Sequence, residues 1–250
     1  MLIVLASRFD AAAAALVERW RQHGARLLTC EGLSQRGWRF DPADCAHGEF
    51  VLEGERLPVR SLQAVVSLLA GVTPHELPQF VAEEREYAAS EMTAFLLAWL
   101  SSLPCRVMNR PTPLNLAGPR LHPEQWLSAA ARAGLEVRGM HRRAPSFERP
   151  APGGASSASA AETPPSEVGE PAFSLAVVAG RCIAAPAQLP LSDDAVAGIR
   201  RLADAARAEL LTVHMATHGA KTLFCGASPM VDVSRDDVAD AMLHAVGVRT

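Results

Sequence analysis

The sequence predicts a mixed α/β fold, with a parallel sheet in the N-terminal half and an α+β arrangement in the C-terminal half. Residues 2–6 form an apolar run typical of a buried strand, and Asp10 can cap the Ala-rich helix that follows and ends before Gly24. Residues 26–30 form a second short strand, and the strand–helix–strand order favours parallel pairing. Beyond residue 170, hairpin patterns alternate with helical patterns, which predicts the α+β arrangement.

The rest of the N-terminal half is predicted to contain a hairpin, one more strand and a long helix. Residues 31–48 carry no regular pattern, whereas 50–59 are typical of a hairpin around Gly54. An apolar run at 62–69 predicts a strand, and helical spacing predicts a helix over 81–102. The large side chains at helical spacing are expected to face the core: Tyr87, Met92, Phe95, Leu96 and Trp99.

The middle of the chain combines a strand end, a helix and a change of composition. A short strand at 105–108 leads directly into the tripeptide Asn-Arg-Pro at 109–111. A helix with a proline at its start is predicted over 123–134, followed by a strand over 135–141. Residues 145–171 are rich in Pro, Gly, Ala, Ser and Glu, which cannot bury enough apolar surface to offset the ordering entropy. We therefore expect a flexible loop there.

The C-terminal region is predicted to alternate hairpins and helices. A hairpin over 172–187 precedes a helix over 192–208, for which Ser192 is the expected N-cap. A second hairpin over 210–227 precedes a last helix over 234–246.

Composition restricts the classes of function. The chain has 250 residues, a formal net charge of −3 and 49% apolar residues, so it offers no basic surface for nucleic acid or for an anionic membrane. No apolar run approaches the roughly 20 residues of a membrane span. The five cysteines show no CxxC spacing, which indicates neither a zinc site nor a disulfide framework and favours the reducing cytoplasm.

The block from the helix at 83–100 through the strand at 105–108 to the helix at 123–134 resembles a known junction. It is similar to the connection between the pre-ATP-grasp domain and the ATP-grasp domain of carboxylate-amine ligases, which include RimK-like and peptide-modifying enzymes. The resemblance implies a pre-ATP-grasp-like domain over 1–117 and an ATP-grasp-like domain over 118–250. The second domain is short, with room for a reduced ATP-grasp only.

The resemblance also implies where magnesium ligands would stand. Active members carry an Asp on the strand like 210–215 and a Glu-x-Asn-Pro pattern later, and these side chains hold Mg²⁺ against the phosphates. When Pro229 is matched to the motif proline, Gly226 stands at the Glu, Ser228 at the Asn, and His214 on or beside the Asp. No carboxylate lies between residues 210 and 231, and Asp232 comes next. We therefore predict no catalytic residue and no metal site.

The phosphate-binding positions of the family are changed as well. Where active members place a Lys at the start of the helix like 123–134, this chain has His122 or Pro123. A second Lys would fall near 135–143, where only arginines occur. Lys221, the only lysine, lies on the strand leading into the former metal site, where it either points at the nucleotide pocket or is a solvated hairpin residue.

Four residues are predicted to bind a ligand or partner: Asn109, Arg110, Lys221 and Ser228. Asn109 and Arg110 follow a strand end and precede a Pro-stiffened loop, where a polar pair can face the cleft between the two domains. The alternative is that Asn109 caps the turn and Arg110 forms a surface ion pair.

These positions lead to three hypotheses about function. The preferred one is a degenerate ATP-grasp-like protein without a cofactor, which acts as a binding or accessory subunit in peptide or natural-product modification. Its partner would be a protein or peptide, or a further copy of the chain in a homo-oligomer, with neither nucleic acid nor membrane involved. The alternative is an active carboxylate-amine ligase that uses ATP and magnesium with atypical ligands. The third is a small-molecule-binding α/β protein that takes no nucleotide.

Overall fold

The computed structural model describes residues 1–139, 173–184, 191–219 and 221–247. The predicted loop over 145–171 lies outside these residues. The strands and α-helices in chain order are β1 (Leu2–Leu5), α1 (Ala11–Arg19), β2 (Ala25–Leu28), α2 (Cys30–Leu33), β3 (Glu49–Leu52), β4 (Glu55–Pro58), β5 (Ala64–Ser67), α3 (Arg85–Ser102), β6 (Arg106–Met108), α4 (Pro123–Arg132), β7 (Phe173–Val178), β8 (Arg181–Ala184), α5 (Asp193–Ala206), β9 (Leu210–His218), β10 (Lys221–Ser228) and α6 (Asp236–Ala245).

The first sheet is parallel, as the sequence predicts. Its four strands lie in the order β2-β1-β5-β6, and every pair within it runs parallel. Helix α1 connects the first two strands, and the carboxylate of Asp10 caps it by accepting a hydrogen bond from the backbone nitrogen of Ala13 at 2.9 Å. The predicted hairpin around Gly54 is confirmed as β3 and β4.

The two faces of the first sheet are both buried because successive side chains of a strand point to opposite sides. Ile3 and Leu5 of β1 belong to a core shared with α3 and the β3–β4 hairpin. Leu2 and Val4 belong to a second core shared with α1 and α6. Since both faces are covered, the strands are almost entirely apolar.

Helix α3 contributes to an aromatic cluster with Trp38 and with Phe50 of β3, and its predicted core residues face this side with one exception. Leu96 and Trp99 are buried as predicted, and Trp38 meets Phe95 and Trp99 edge-on at centroid distances of 5.4 and 5.3 Å. The prediction for Tyr87 is wrong, since this side chain is 70% exposed. Tyr87 lies two residues before the buried Ala89, which turns it by roughly 200° around the helix to the outer side.

The second sheet is antiparallel, in the order β10-β9-β7-β8. Both predicted hairpins are confirmed, and α4 and α5 pack on one face over Leu175, Val213 and Phe224. The predicted strand over 135–141 appears within the described residues as a single parallel bridge, from Val137 to Phe224. Its last residues, from 140 onward, lie outside the described part of the chain.

Helix α6 fills the space between the two sheets. Its residues Val238 and Met242 belong to the same buried core as Val4 of the first sheet and Val178 and Leu210 of the second. The two predicted domains therefore share apolar packing, and their boundary at 117 and 118 stays a prediction. In the part of the chain that the structure describes, no helix is both long and apolar enough to cross a membrane.

Candidate functional site

Asn109 joins the two sheets where β6 ends. Its side chain is fully buried, and its amide Nδ2 donates to the carbonyl oxygens of Ala117 and Leu210 at 3.0 and 2.8 Å. Its Oδ1 accepts from the backbone nitrogens of Glu209 and Leu210, both at 2.7 Å. These four bonds use both amide hydrogens and both oxygen lone pairs. The predicted contact between Asn109 and a ligand stays a prediction, and it would require one of these bonds to break.

Gly118 packs directly against this asparagine. Its φ of +111° is one that residues with a side chain rarely adopt. A Cβ atom there would lie 2.6 Å from the Cβ of Asn109, far inside van der Waals contact. The glycine therefore permits the close approach that holds the asparagine in place.

Arg110 lines a cleft of about 620 Å³ between the loop after β6 and the end of α5, together with Asp204, Arg207 and Glu209. A role of Arg110 in binding between two domains stays a prediction, and its guanidinium points to the end of α3. There it donates to four backbone carbonyls at 3.1 to 3.3 Å, those of Leu100, Ser101, Leu103 and Cys105. A cation at a helix C-terminus is favourable because the unpaired carbonyls carry partial negative charge.

The positions that the resemblance assigns to magnesium ligands lie together on one face of the second sheet. The strand register pairs His214 with Ser174 on one side and with Gly226 on the other, and it pairs Thr212 with Ser228. All five are half-buried, on the face opposite α4 and α5. We call these five residues the polar face.

His214 and Ser174 form the central contact of the polar face. The Oγ of Ser174 and the Nδ1 of His214 are 2.7 Å apart. Burial lowers the pKa of His214 below its ordinary value near 6.5, so that the imidazole is neutral at physiological pH. A neutral imidazole prefers softer metals than Mg²⁺ and does not offset the charge of a phosphate.

The hydroxyls of the polar face support the turn that follows β10. The Oγ1 of Thr212 donates to the carbonyl of Met230 at 2.7 Å, and the Oγ of Ser228 accepts from the nitrogen of Met230 at 3.3 Å. Beyond the turn, Asp232 accepts from the nitrogen and the hydroxyl of Ser234 at 3.0 and 2.5 Å. Among the described residues, no group of three or more His, Cys, Asp and Glu side chains could hold a metal.

Lys221 lies at the exposed start of β10. Its ammonium forms an ion pair with Glu136 at 2.8 Å, and both side chains are more than half exposed. The position next to α4 that carries a Lys in active members is also occupied differently. The backbone nitrogen of His122 donates to the side chain of Gln125 at 2.8 Å, so this position helps to cap α4. Neither contact supplies a cation to the polar face.

The sequence did not identify Ser174 or Thr212 as part of this group. Both residues fit the alternation of side chains along their strands. Which side chains lie beside them on adjacent strands depends on the register between β7, β9 and β10. A bulge between Phe224 and Gly226 shifts that register. An extra residue changes which side chains share a face, and no turn signal in the sequence indicated it.

Comparisons with known proteins show the fold. No family model matches the chain, and no curated protein matches it in sequence. The macrocyclase MdnC of Microcystis aeruginosa MRC, bound with the precursor peptide MdnA, is similar in structure with a TM-score of 0.70 and 10% identity over 99% of each chain. The ATP-grasp ligase PsnB, complexed with a minimal precursor, Mg and ADP, has a TM-score of 0.65 and 14% identity over 98% of each chain.

A third similar structure is the RiPP-associated ATP-grasp ligase of Chryseobacterium gregarium, in complex with ADP and a leader and core peptide. Its TM-score is 0.65 at 10% identity, over 99% of this chain and 94% of that one. The chain thus has an ATP-grasp-like fold, and the predicted fold class is confirmed. At these identities the likeness shows the fold alone.

Proposed function

We propose that this chain is a non-catalytic ATP-grasp-like subunit that binds a peptide or protein partner during peptide modification. The similar structures support the setting, because those of MdnC and PsnB contain a precursor peptide and that of the Chryseobacterium ligase contains a leader and core peptide. The partner of this chain would be a peptide or a protein that carries one.

The observation that carries the proposal is the chemistry of the polar face. Phosphoryl transfer from ATP depends on Mg²⁺ to neutralise charge that develops on the phosphoryl group. Mg²⁺ requires an octahedral set of hard oxygen ligands, usually including carboxylates. The three positions that the resemblance assigns to ligands hold His214, Gly226 and Ser228. Their side chains together offer a single hard oxygen, the hydroxyl of Ser228, which already accepts a hydrogen bond.

The proposal is tested by titrating the purified chain with Mg-ATP in a calorimeter and by a phosphate-release assay with and without candidate peptides. We expect neither binding heat at micromolar ATP nor phosphate release above a blank without protein. Turnover that disappears in Asp232→Ala, but persists in the control Asp194→Ala, which is also exposed, would overturn the proposal and establish an active ligase.

A restoring variant sharpens the same test. His214→Asp, Gly226→Glu and Ser228→Asn together return the ligand types of active members to these positions. The space around Gly226 allows this, since a Cβ there meets no other atom within 4 Å. We expect the triple variant to gain Mg-dependent ATP binding. A control with only His214→Gln leaves the carboxylate count unchanged and should bind no better than the parent chain.

A further inference from the structure

A groove of about 500 Å³ lies beside the first turns of α3, away from the polar face in sequence and in fold. Its apolar lining includes Phe80, Tyr87 and Met92. Tyr87 is 70% exposed and the nearby Val81 is 60% exposed, which makes them two of the most exposed large apolar side chains among the described residues. Its volume lies in the range of sites that enclose a few side chains of a ligand.

Glutamates line this groove and outnumber the neighbouring cation. Glu83, Glu84 and Glu91 line it, and none of them forms an ion pair with any described residue. Arg85 lies among them in the sequence, but its guanidinium donates to the backbone carbonyls of Phe80 and Pro78 at 3.0 and 3.3 Å. Because donation to neutral carbonyls leaves the charge of Arg85 in place, it offsets one of the three carboxylates, and the groove combines exposed apolar surface with an excess of negative charge.

We propose that this groove docks a cationic peptide segment in which arginines or lysines flank an aromatic or large aliphatic side chain. The apolar side chain would cover Tyr87 and Met92, and the basic side chains would pair with the glutamates at the rim. Interfaces of this kind have an apolar centre and a complementary charged rim, which sets the partner's sequence and orientation.

A second copy of this chain is a poor occupant of the same groove. A two-fold contact places the same patch on both sides of the interface. Glu83, Glu84 and Glu91 of one copy would then face those of the other, and like charges in contact are unfavourable. This proposal does not depend on the polar face, because it involves no residue of the second sheet.

The test uses the fact that Tyr87 is the only tyrosine in the chain. Chain labelled with 3-fluorotyrosine gives one ¹⁹F resonance, located in the groove itself. The probe is a fluorescent peptide that alternates Arg with Leu and Phe. One control peptide replaces each Arg by Glu, and another replaces Leu and Phe by Ser. We expect only the cationic apolar peptide to bind in fluorescence anisotropy and to shift the ¹⁹F resonance.

Two variants with the same loss of charge locate the contact. The variant Glu83→Gln/Glu84→Gln/Glu91→Gln removes three ion pairs between the rim and the basic peptide. Each exposed ion pair contributes modestly, but the three together should weaken peptide binding about tenfold or more when lost. Glu18→Gln/Glu31→Gln/Glu55→Gln removes three exposed acids elsewhere and should bind like the parent chain. Circular dichroism and melting curves establish that both variants are folded.

Three results would overturn the proposal. The first is no binding of the cationic apolar peptide at 100 µM, roughly the limit of a useful affinity. The second is equal weakening in both triple variants, which would show non-specific attraction to the whole chain. The third is a ¹⁹F resonance that shifts with protein concentration while sedimentation shows dimers, which would assign the groove to a second copy.

Discussion

Strand β9 begins in the buried interior of the molecule and becomes half-buried further along. Its first residue, Leu210, is fully buried and exchanges backbone hydrogen bonds with the side chain of Asn109. Four residues later, His214 is half-buried and contacts Ser174. Two polar side chains therefore contribute to the same strand in different surroundings. Asn109 binds its buried start, and His214 lies on its half-buried part.

The difference shows what each polar group can contribute. A buried amide with every hydrogen bond satisfied inside the protein stabilises one arrangement of the chain, and its loss leaves several buried groups without partners. A half-buried imidazole keeps contact with water, so its replacement changes proton binding and ligand chemistry at lower cost to stability. We therefore expect the start of β9 to control stability and its end to control binding and pH response.

The largest effect is expected at Asn109. Asn109→Ala removes four hydrogen bonds and takes the acceptor from the buried nitrogen of Leu210 and from the partly buried nitrogen of Glu209. The free energy of unfolding should fall by about 3 to 5 kcal/mol, because each buried group without a partner costs about 1 to 3 kcal/mol. Urea denaturation followed by tryptophan fluorescence measures it.

The matched control is Asn115→Ala in the same loop. Asn115 is also buried, but its side chain accepts only one described hydrogen bond, from the nitrogen of Ala117 at 3.1 Å. We expect a loss of about 1 kcal/mol. If both variants lost the same free energy of unfolding, the hydrogen bonds of Asn109 between the sheets would stabilise the fold no more than the single bond of Asn115.

An intermediate effect, dependent on pH, is expected at His214. Burial holds the pKa of His214 below its ordinary value near 6.5. Between that lowered pKa and 6.5, the unfolded chain binds a proton that the folded chain does not, so the free energy of unfolding decreases as pH falls. His214→Gln should therefore lose less stability than the parent chain between pH 7.5 and 5.5.

The comparison for this prediction is His218→Gln, which changes an exposed histidine on the same strand. Denaturant midpoints at pH 7.5 and at pH 5.5 give the change of stability with pH for each variant. If the pH slope of His214→Gln equalled that of the parent chain, the burial of His214 would have no consequence for proton binding.

The smallest effect is expected at Lys221. Its ion pair with Glu136 is exposed on both sides, and such pairs contribute roughly 0.5 kcal/mol or less because water and salt screen them. A double-mutant cycle with Lys221→Ala and Glu136→Ala, measured by thermal denaturation, gives the coupling energy. A value above about 1 kcal/mol would indicate that this end of the sheet is less solvated than its exposure suggests.

Much of the fold could be predicted because its signals are local. The apolar run at 2–6, the caps at Asp10 and Ser192, and the turn at Gly54 each act within a few residues. Matching His214, Gly226 and Ser228 to ligand positions depended on a resemblance, and the strand register places the three on one face.

The sequence by itself determined the order and type of most elements, though not helix α2 or the strand over 135–141. It also determined that no carboxylate lies between residues 210 and 231, because composition and periodicity are properties of neighbouring residues. Only the tertiary structure decided that Asn109 bonds to a strand a hundred residues away, that Arg110 turns to the end of α3, and that Tyr87 faces solvent. These outcomes depend on which elements pack together. A side chain cannot signal a partner that becomes its neighbour only after folding.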